Sequence, residues 1–443
     1  MLPPPGCPPE QVFAPLAAVR GSILLESTLP LRYGMGRWSL IVHSPTIVFS
    51  AEGDRLTLER AGEMPVRWQG DPWPVISWLH RQVPRGWRRH PYLPFSGGLV
   101  GYLGYEMGRH LERLPAAPTD DVGLPDCVLA VYPSALGYDH VSGRWVGEPL
   151  PGLPAEPLRP PPALPAPRGV ESSLGKEAWE RGVETIRGLI ARGDLYQANL
   201  TRRITVGLDQ VSPWEIYRHL ARANPAPYAA FMQWGDFQVV SCSPERFLQV
   251  RGKEVETRPM KGTRPRGKTA MEDWQLARAL RASEKDRAEL TMIVDVLRND
   301  LGRACRYGSV RVPGMWQLER YACVHQMVAR VKGDLRPEVG PLDLVAVCFP
   351  GGSITGAPKI RAMEVIAGLE PCRRGLYTGA LGYVGWEGNM ELSIAIRTAV
   401  VKEGRLHLGV GGGIVADSDP AAEWEETGHK ARAFLQALGA PEG

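Results

Sequence analysis

The lysine at position 261 has the sequence surroundings of a reactive amine. It lies between Pro259 and Gly262, in a stretch from 257 to 267 that also carries three arginines. A proline before the lysine and a glycine after it favour a fixed, irregular backbone over a helix interior, so the side chain is expected to be aimed in one direction. A solvated basic turn is the alternative, and these residues alone leave it open.

Carboxylates form a second group with chemical potential. Glu289 lies beside an apolar stripe on a predicted helix, and Glu423, Glu426 and Lys430 share one face of a helix expected over 421–438. Such carboxylates could hold Mg²⁺, which prefers one or two acidic side chains together with substrate oxygens and water. The alternative is a surface ion pair between Glu426 and Lys430, worth about 0.3–0.5 kcal/mol. The spacing leaves both interpretations open.

Two glycine-rich segments could bind an anion through backbone amides. Residues 349–359 resemble a turn leading into a helix, and Gly409 with 411–413 suggests a second turn before Asp419, a plausible helix N-cap. Neither segment completes a phosphate-binding motif, which argues against ATP and NAD. A purely structural role for the glycines is the alternative.

The composition bounds the class of protein. Charged residues make up 23% of the 443 residues and the net charge is +4, so the balance favours small anionic ligands over nucleic acid. The seven cysteines are scattered without a CxxC pair, which predicts neither a disulfide framework nor a zinc site. We find no signal peptide and no apolar run long enough for a membrane span, so a cytoplasmic location is expected.

A proline-rich stretch divides the chain. Nine prolines fall within 149–168, which predicts an extended linker over 149–170 between a β-rich amino-terminal region (1–148) and a catalytic region (171–443). In the catalytic region, blocks of helices separate antiparallel-looking strands without a repeating βαβ unit. The expected fold class is therefore α+β. Helices are expected over 176–192, 271–282, 284–300 and 421–438.

An ordered series of segments resembles the chorismate-utilising enzymes. In family order they are GDLYQANLT, SPERF, TRPMKGTRPRG, DRAELTMIVDVLRNDLGR, VHQM, FPGGSITGAPKIRAMEVI, RGLYTGALGYV, ELSIAIRT and GGGIVADSDPAAEWEETGHKA. A weaker likeness extends to SILLES and FSGGLVGYLGYE near the amino terminus. The resemblance implies two large antiparallel sheets packed as a sandwich with helices outside, and a Mg²⁺-dependent active site.

The family pattern also implies roles for individual residues. Glu289 and Glu426 would hold Mg²⁺, with Glu423 close by. The positions that would bind chorismate are Gly262, Thr263, Ser353, Tyr377, Arg397, Gly411, Gly413 and Lys430. His325 matches a family histidine near the ring, although an isolated histidine among apolar residues is also typical of a protein core.

Two positions imply the reaction. Lys261 stands where the family members that aminate chorismate at C4 carry lysine, whereas the anthranilate-forming members carry alanine. Its amine would attack C2 while Glu245 protonates the departing C4 hydroxyl. Gln197 occupies the place of a water-activating lysine in the isochorismate and salicylate branches, which argues against both. The implied product is 4-amino-4-deoxychorismate, for 4-aminobenzoate and folate synthesis.

Alternatives and partners complete the sequence interpretation. An anthranilate-forming synthase is the alternative within the family, and a non-catalytic chorismate-binding regulatory protein is the alternative of another class. The chain has no cysteine in a glutaminase setting such as GxCxG, so ammonia is expected from a separate glutamine amidotransferase subunit or from solution. The resemblance also implies that an aromatic amino acid could bind near Leu25–Ser27 and Asn224–Tyr228.

Overall fold

A computed structural model describes residues 2–29, 31, 34–150, 159–165, 168–209, 211–321 and 324–439. Nine α-helices occur in these ranges, and the four helices expected from the sequence are among them. The helices are α1 (Pro9–Phe13), α2 (Pro72–His80), α3 (Lys176–Ala191), α4 (Pro213–Ala223), α5 (Ala270–Ala282), α6 (Glu284–Gly302), α7 (Pro341–Cys348), α8 (Lys359–Leu369) and α9 (Pro420–Ala437).

The same ranges contain twenty-three β-strands. They are β1 (Ser22–Glu26), β2 (Trp38–Val42), β3 (Ile47–Glu52), β4 (Arg55–Arg60), β5 (Val66–Gln69), β6 (Gly98–Leu103), β7 (Cys127–Tyr132), β8 (Leu136–Asp139), β9 (Arg144–Gly147), β10 (Arg168–Ser172), β11 (Gln197–Gly207), β12 (Tyr228–Gln233), β13 (Phe237–Ser243), β14 (Arg246–Arg251), β15 (Glu254–Arg258), β16 (Met260–Pro265), β17 (Arg311–Arg320), β18 (Val324–Asp334), β19 (Gly356–Ala357), β20 (Ala380–Gly385), β21 (Met390–Ile394), β22 (Thr398–Lys402) and β23 (Arg405–Ile414).

These strands form two large antiparallel sheets. The first sheet has the order β10-β11-β23-β22-β13-β12-β1-β2-β8-β9, and β19 pairs with β11. The second has the order β16-β18-β15-β14-β21-β20-β6-β7-β3-β4-β5, and β17 pairs with β18. This arrangement confirms the α+β fold with two packed antiparallel sheets.

Apolar side chains hold the two sheets together. Ile23 and Met232 of the first sheet belong to the same buried cluster as Tyr102, Ala130 and Leu381 of the second. The strands alternate residues between their two faces, so one face of each sheet enters this cluster and the other is available to helices. The space between the sheets is thus a packed core over much of its extent.

Helices cover the outer faces of both sheets because their apolar stripes need a partner. Tyr217 of α4 and Phe434 of α9 pack in a cluster with strands of the first sheet. Leu290 and Val294 of α6 pack in a cluster with strands of the second sheet. Within the described ranges, none of the helices combines the length and the apolar character that crossing a membrane requires.

Both sheets contain strands from either side of the proline-rich stretch. In the first sheet β1 pairs with β12, and in the second β6 pairs with β20. Residues 151–158 and 166–167 of the expected linker lie outside the described residues, and residues 168–170 begin β10. The division at 149–170 stays a prediction about sequence regions, whereas the sheets are built jointly from both.

Candidate active site

Lys261 lies in β16, which pairs with β18 and is interrupted after the lysine by an irregular step in register. Gly262 forms that step with a φ of 75°, and a Cβ atom there would lie 2.8 Å from the Cβ of Asp286 on α6. Only glycine accommodates both the left-handed backbone and the contact with α6. The lysine side chain is 14% exposed, and its Nζ lies 3.9 Å from Oε2 of Glu289.

The side chains of Gln197 and Asn199 and the amine of Lys261 all lie beside Gly413 of β23. A Cβ atom on Gly413 would lie 2.8 Å from Nζ of Lys261 and 2.9 Å from Oδ1 of Asn199, and would overlap Nε2 of Gln197. Gln197 is fully buried, and its Oε1 has no hydrogen-bond partner among the described residues. The lysine amine and two carboxamides therefore line one small space beside the backbone of Gly413.

The glycines around this space correct one sequence interpretation. Gly409 and the glycines at 411–413 were expected to form a turn, but they lie within β23, paired with β11. A side chain at 409 would overlap the ring of Tyr377. The glycines make room for side chains from other segments, a requirement that overrides their low strand propensity.

Glu245 lies between β13 and β14, is 5% exposed, and accepts a hydrogen bond of 2.6 Å from Oγ of Ser353. Burial raises the pKa of Glu245 to about 7, although the Ser353 bond and the charge of Lys261 act in the opposite direction. Desolvation disfavours the carboxylate, so near neutral pH this side chain can carry a proton to donate.

The acids on α9 face β23 across Gly412. A Cβ atom on that glycine would lie 2.9 Å from Oε2 of Glu423 and 3.9 Å from Oε1 of Glu426. The side chain of Asp419 accepts a hydrogen bond from the amide of Ala422 at 2.8 Å, which confirms the expected N-cap. The cap fixes where the helix begins and so places both carboxylates against the strand.

Repulsion among the acids is visible in their pKa values. Burial raises the pKa of Glu423, with a further contribution from the charge of Glu426. Burial likewise raises the pKa of Glu289; the charge of Lys261 opposes this increase, and Asp286 and Glu426 add smaller repulsive contributions. Burial would also raise the pKa of Glu426, but Lys430, which donates a hydrogen bond to it, lowers it overall.

In the described part of the chain, no three His, Cys, Asp or Glu side chains come together closely enough to hold a metal ion by themselves. Mg²⁺ needs only one or two carboxylates when a substrate and water supply the remaining oxygens. Glu289 and Glu426 repel each other across the space next to Lys261, and a dication between them would relieve that repulsion. The donor set therefore fits a magnesium ion shared with an anionic substrate.

Two further predicted binding residues, Lys430 and Tyr377, contact glycines of β23. Lys430 donates to the carbonyl of Gly411 at 2.7 Å and pairs with Glu426 at the same distance. The ring of Tyr377 packs on Gly409. Arg397 adopts a left-handed φ of 49°, a conformation that costs energy in a residue other than glycine.

Thr263 and His325 form side-chain hydrogen bonds with Gln326 of β18 and Asp273 of α5, respectively. The hydroxyl of Thr263 donates to Oε1 of Gln326 at 3.0 Å. His325 is fully buried, and its Nε2 lies 2.8 Å from Oδ1 of Asp273 on α5. Asp273 also binds Arg266, whose side chain lies close to the histidine. His325 thus joins a polar cluster at α5, with no hydrogen bond to Lys261 or Glu245 among the described residues.

Sequence reasoning missed two participants, Asn199 and Arg374. Asn199 lies two residues after Gln197 on β11, and the two-residue period of a strand would have placed both on one face. Arg374 forms a buried ion pair with Glu370 at 2.7 Å. The sequence shows their i,i+4 spacing, but not that α8 ends at Leu369 and leaves the pair in the interior.

A second cleft lies between the two sheets, away from Lys261. Its lining includes Leu25, Glu26, Trp38, Tyr228 and Tyr383. The two segments expected to bind an aromatic amino acid are brought together here because β1 pairs with β12, with Glu26 opposite Ala229. Burial raises the pKa of Glu26 to about 7 despite a hydrogen bond from Tyr217.

Comparisons with known proteins show which family this chain resembles. A profile of the chorismate binding enzyme family matches residues 33–436. Aminodeoxychorismate synthase component 1 of Klebsiella aerogenes is 39% identical over 439 residues, which cover 97% of this chain and 96% of that protein. Anthranilate synthase component 1 of Streptomyces coelicolor is 38% identical over 463 residues, which cover 97% of this chain and 86% of that protein.

A solved structure is similar over nearly the same extent. The crystal structure of anthranilate synthase component I from Streptococcus pneumoniae superposes with a TM-score of 0.79 and is 31% identical. The match covers 92% of this chain and 94% of that one. Relatives named for two different reactions are almost equally similar, so individual residues and not overall identity separate the two activities.

Proposed function

Because this chain belongs to the family of chorismate-binding enzymes, we propose that it converts chorismate and ammonia to 4-amino-4-deoxychorismate, as aminodeoxychorismate synthase component I does. The observation that carries the proposal is the position of Lys261. Its amine points at Gly413, between the carboxylate of Glu289 and the carboxamides of Gln197 and Asn199. An amine in this place can act on a bound ring, whereas a solvated lysine could not.

The proposed reaction has two displacement steps. The neutral amine of Lys261 attacks C2 of chorismate, the two ring double bonds shift, and the C4 hydroxyl leaves as water with a proton from Glu245. Ammonia then attacks C4, the double bonds shift back, and the bond between C2 and the lysine nitrogen breaks. The lysine nitrogen departs as a neutral amine and one proton of the incoming ammonia is lost. Lys261 and Glu245 are both restored after a proton returns to the carboxylate.

Charge on the substrate needs compensation because three carboxylates already surround the site. Glu289 and Glu426 would hold Mg²⁺, with Glu423 adjacent, and the ion would neutralise a carboxylate of chorismate. Arg397 suits a bidentate grip on a second carboxylate. The remaining contacts would come from Gly262, Thr263, His325, Ser353, Tyr377, Gly411, Gly413 and Lys430.

Ammonia would come from a glutamine amidotransferase subunit in the cytoplasm. The relatives carry the name component 1, which is consistent with a second component. Free ammonium salt should therefore support turnover by the isolated chain, whereas glutamine should support it only after the subunit is added. Turnover with glutamine by the isolated chain would contradict this part of the proposal.

Anthranilate formation is the second candidate, favoured by the 38% identity to the Streptomyces coelicolor protein. It differs in one testable respect, because ammonia would attack C2 directly and Lys261 would have no covalent role. The presence of a lysine at that position favours amination at C4.

The second cleft is proposed to bind an aromatic amino acid. Trp38, Tyr228 and Tyr383 offer ring contacts, and Glu26 offers a partner for an amino group. Phenylalanine, tyrosine or tryptophan should raise the melting temperature of the wild type, and Glu26→Gln should reduce that shift. A shift of equal size in the variant would argue against this cleft.

One experiment separates the two activities. With chorismate, Mg²⁺ and an ammonium salt above neutral pH, the chain should consume chorismate without forming fluorescent anthranilate. Added aminodeoxychorismate lyase should then release 4-aminobenzoate. A quenched reaction should show an adduct on Lys261 by intact mass, and the adduct should be absent from Lys261→Ala. Anthranilate as the main product of the wild type would overturn the proposed function.

A further inference from the structure

Arg374 and Glu370 form a buried ion pair next to the proposed site, and both side chains make further hydrogen bonds to other segments. The side chains of Arg374 and Glu370 are 2% and 3% exposed, and they form two hydrogen bonds of 2.7 and 2.9 Å. Glu370 also accepts from the amide and the hydroxyl of Thr201 on β11, both at 2.9 Å. Removing two charges from water is costly, and a hydrophobic pair of similar size is often at least as stable.

Every N–H group of the Arg374 guanidinium has an acceptor. Beyond the two bonds to Glu370, it donates to the carbonyl of Ile354 at 3.0 Å and to that of Asn199 at 2.8 Å. The fifth N–H reaches the hydroxyl of Thr378 at 3.3 Å. Arginine has five such donors in a rigid plane, so this side chain fixes the relative positions of three separate segments.

Two of those segments meet at Ser353. Arg374 holds the carbonyl of Ile354, the residue after the serine. It also holds the carbonyl of Asn199, and Nδ2 of Asn199 donates to the carbonyl of Ser353 at 2.9 Å. The Ser353 peptide is therefore held on both sides by groups that depend on one guanidinium. Its hydroxyl is the group that binds Glu245.

We infer that Arg374, charge-balanced by Glu370, is a positioning residue that fixes Ser353 and thereby the orientation of the acid Glu245. The inference rests on the proposed function for the role of Glu245, and it adds a residue that does not touch the substrate. A hydroxyl that is free to rotate or shift would leave the Glu245 carboxyl without a fixed direction towards the C4 hydroxyl. Misplacement of a catalytic group by about 1 Å can cost roughly 10²-fold in rate.

The alternative is a pair that only stabilises the fold. Arg374→Lys distinguishes the two, because lysine keeps the charge opposite Glu370 but has no planar fork to reach Ile354 and Asn199 at once. We expect kcat for chorismate consumption to fall by roughly 10²-fold, with a much smaller change in KM. A proportional loss in the folded fraction, with normal kcat per folded molecule, would overturn the inference.

A double-mutant cycle tests the route through the serine. If Arg374 acts through Ser353, Arg374→Lys should cost far less in a Ser353→Ala background than in the wild type. Additive losses would overturn the inference. Should Arg374→Lys fail to fold, Asn199→Ala removes the other bond to the Ser353 peptide, and its loss should be non-additive with Ser353→Ala in the same way.

A pH profile gives a readout that a structural role would not change. The bond from Ser353 lowers the pKa of Glu245, so the fall in kcat above neutral pH should move to higher pH in Arg374→Lys and Ser353→Ala alike. Rates are compared at constant free ammonia. An unmoved profile in Arg374→Lys would count against the inference.

Arg218 offers a matched control. Its side chain is 3% exposed and pairs with Glu215 of α4 and Glu10 of α1, and its partners among the described residues include none of the proposed site. Arg218→Lys should leave kcat and the pH profile unchanged, and an equal loss there would assign both effects to stability. Chorismate consumption is measured in every variant, so an unexpected product from the wild type would refute the proposed function and leave this test intact.

Discussion

The amine of Lys261 and the carboxylate of Glu289 lie 3.9 Å apart, so the proposed nucleophile and a proposed metal ligand interact directly. Both side chains are at most 16% exposed, so water screens their interaction only weakly. A cation bound at Glu289 would compete with the lysine for the same negative charge. Substitution of Glu289 would therefore disturb two functions at once, which makes Glu426 the better position for testing the metal.

Glu426→Gln should lower turnover by at least about 10²-fold and abolish the dependence of chorismate binding on Mg²⁺, because the amide keeps the size but loses the charge. Folding should remain cooperative, since the side chain is half exposed and its pair with Lys430 contributes little. The measurements are steady-state rates and chorismate binding across a Mg²⁺ titration.

Glu425 provides the control on the same helix. It is exposed, and Glu425→Gln should leave both measurements unchanged. Normal activity of Glu426→Gln at saturating Mg²⁺ would remove Glu426 from the proposed metal site.

Glu245→Gln should retain chorismate binding but lose about 10²–10⁴-fold in product formation, because departure of the C4 hydroxyl requires a proton and binding does not. Ser353 can still donate to the amide oxygen, so the local structure should persist. The comparison is between chorismate affinity and single-turnover rate. A collapse of affinity in parallel with the rate would reassign Glu245 to substrate binding.

The same substitution should change the pH dependence of stability. Burial raises the pKa of Glu245 from 4.5 to about 7, so between these values the folded protein holds a proton that the unfolded chain has released. Stability of the wild type therefore falls as pH rises through this window. Glu245→Gln should gain roughly 2–4 kcal/mol relative to the wild type between pH 5 and 8, measured by urea unfolding. An equal difference at both pH values would mean that Glu245 ionises normally.

Gly413→Ala should fold and yet lose roughly 10²-fold in kcat, because the new methyl group takes the space beside the Lys261 amine. Its neighbours are the ends of side chains, which can move aside without unfolding the sheet. Circular dichroism and chorismate consumption give the two readouts. Gly428→Ala, on α9 with open space around it, should be neutral or slightly stabilising.

Periodic patterns predicted much of the fold. In α3 the buried residues Trp179, Val183 and Ile186 follow helical spacing, and this alone located the helix. The N-cap at Asp419 and the break between α5 and α6 were also predicted from neighbouring residues alone. The absence of a βαβ repeat predicted an α+β fold, and the family resemblance implied two large antiparallel sheets; the structure confirms both.

Long-range contacts explain what the sequence could not show. The glycines of β23 resemble a turn until Tyr377 and Lys261, far away in sequence, are seen to fill the space above them. Arg264 and Arg266 lie close to Lys261 in sequence, but each is paired with an aspartate, Asp286 or Asp273. Such pairings depend on how α5 and α6 pack on β18, which no local pattern contains.

The pairing of β6 with β20 has a consequence for synthesis of the chain on the ribosome. Gly101 lies opposite Gly382, so β6 leaves the exit tunnel long before its neighbour is translated. Contacts this distant in sequence slow folding, and until β20 is made they leave one edge of the apolar strand β6 unpaired and open to aggregation, although β7 can cover its other edge. We therefore expect nascent chains that stop before β20 to need a chaperone. The second sheet can be completed only when translation is almost finished.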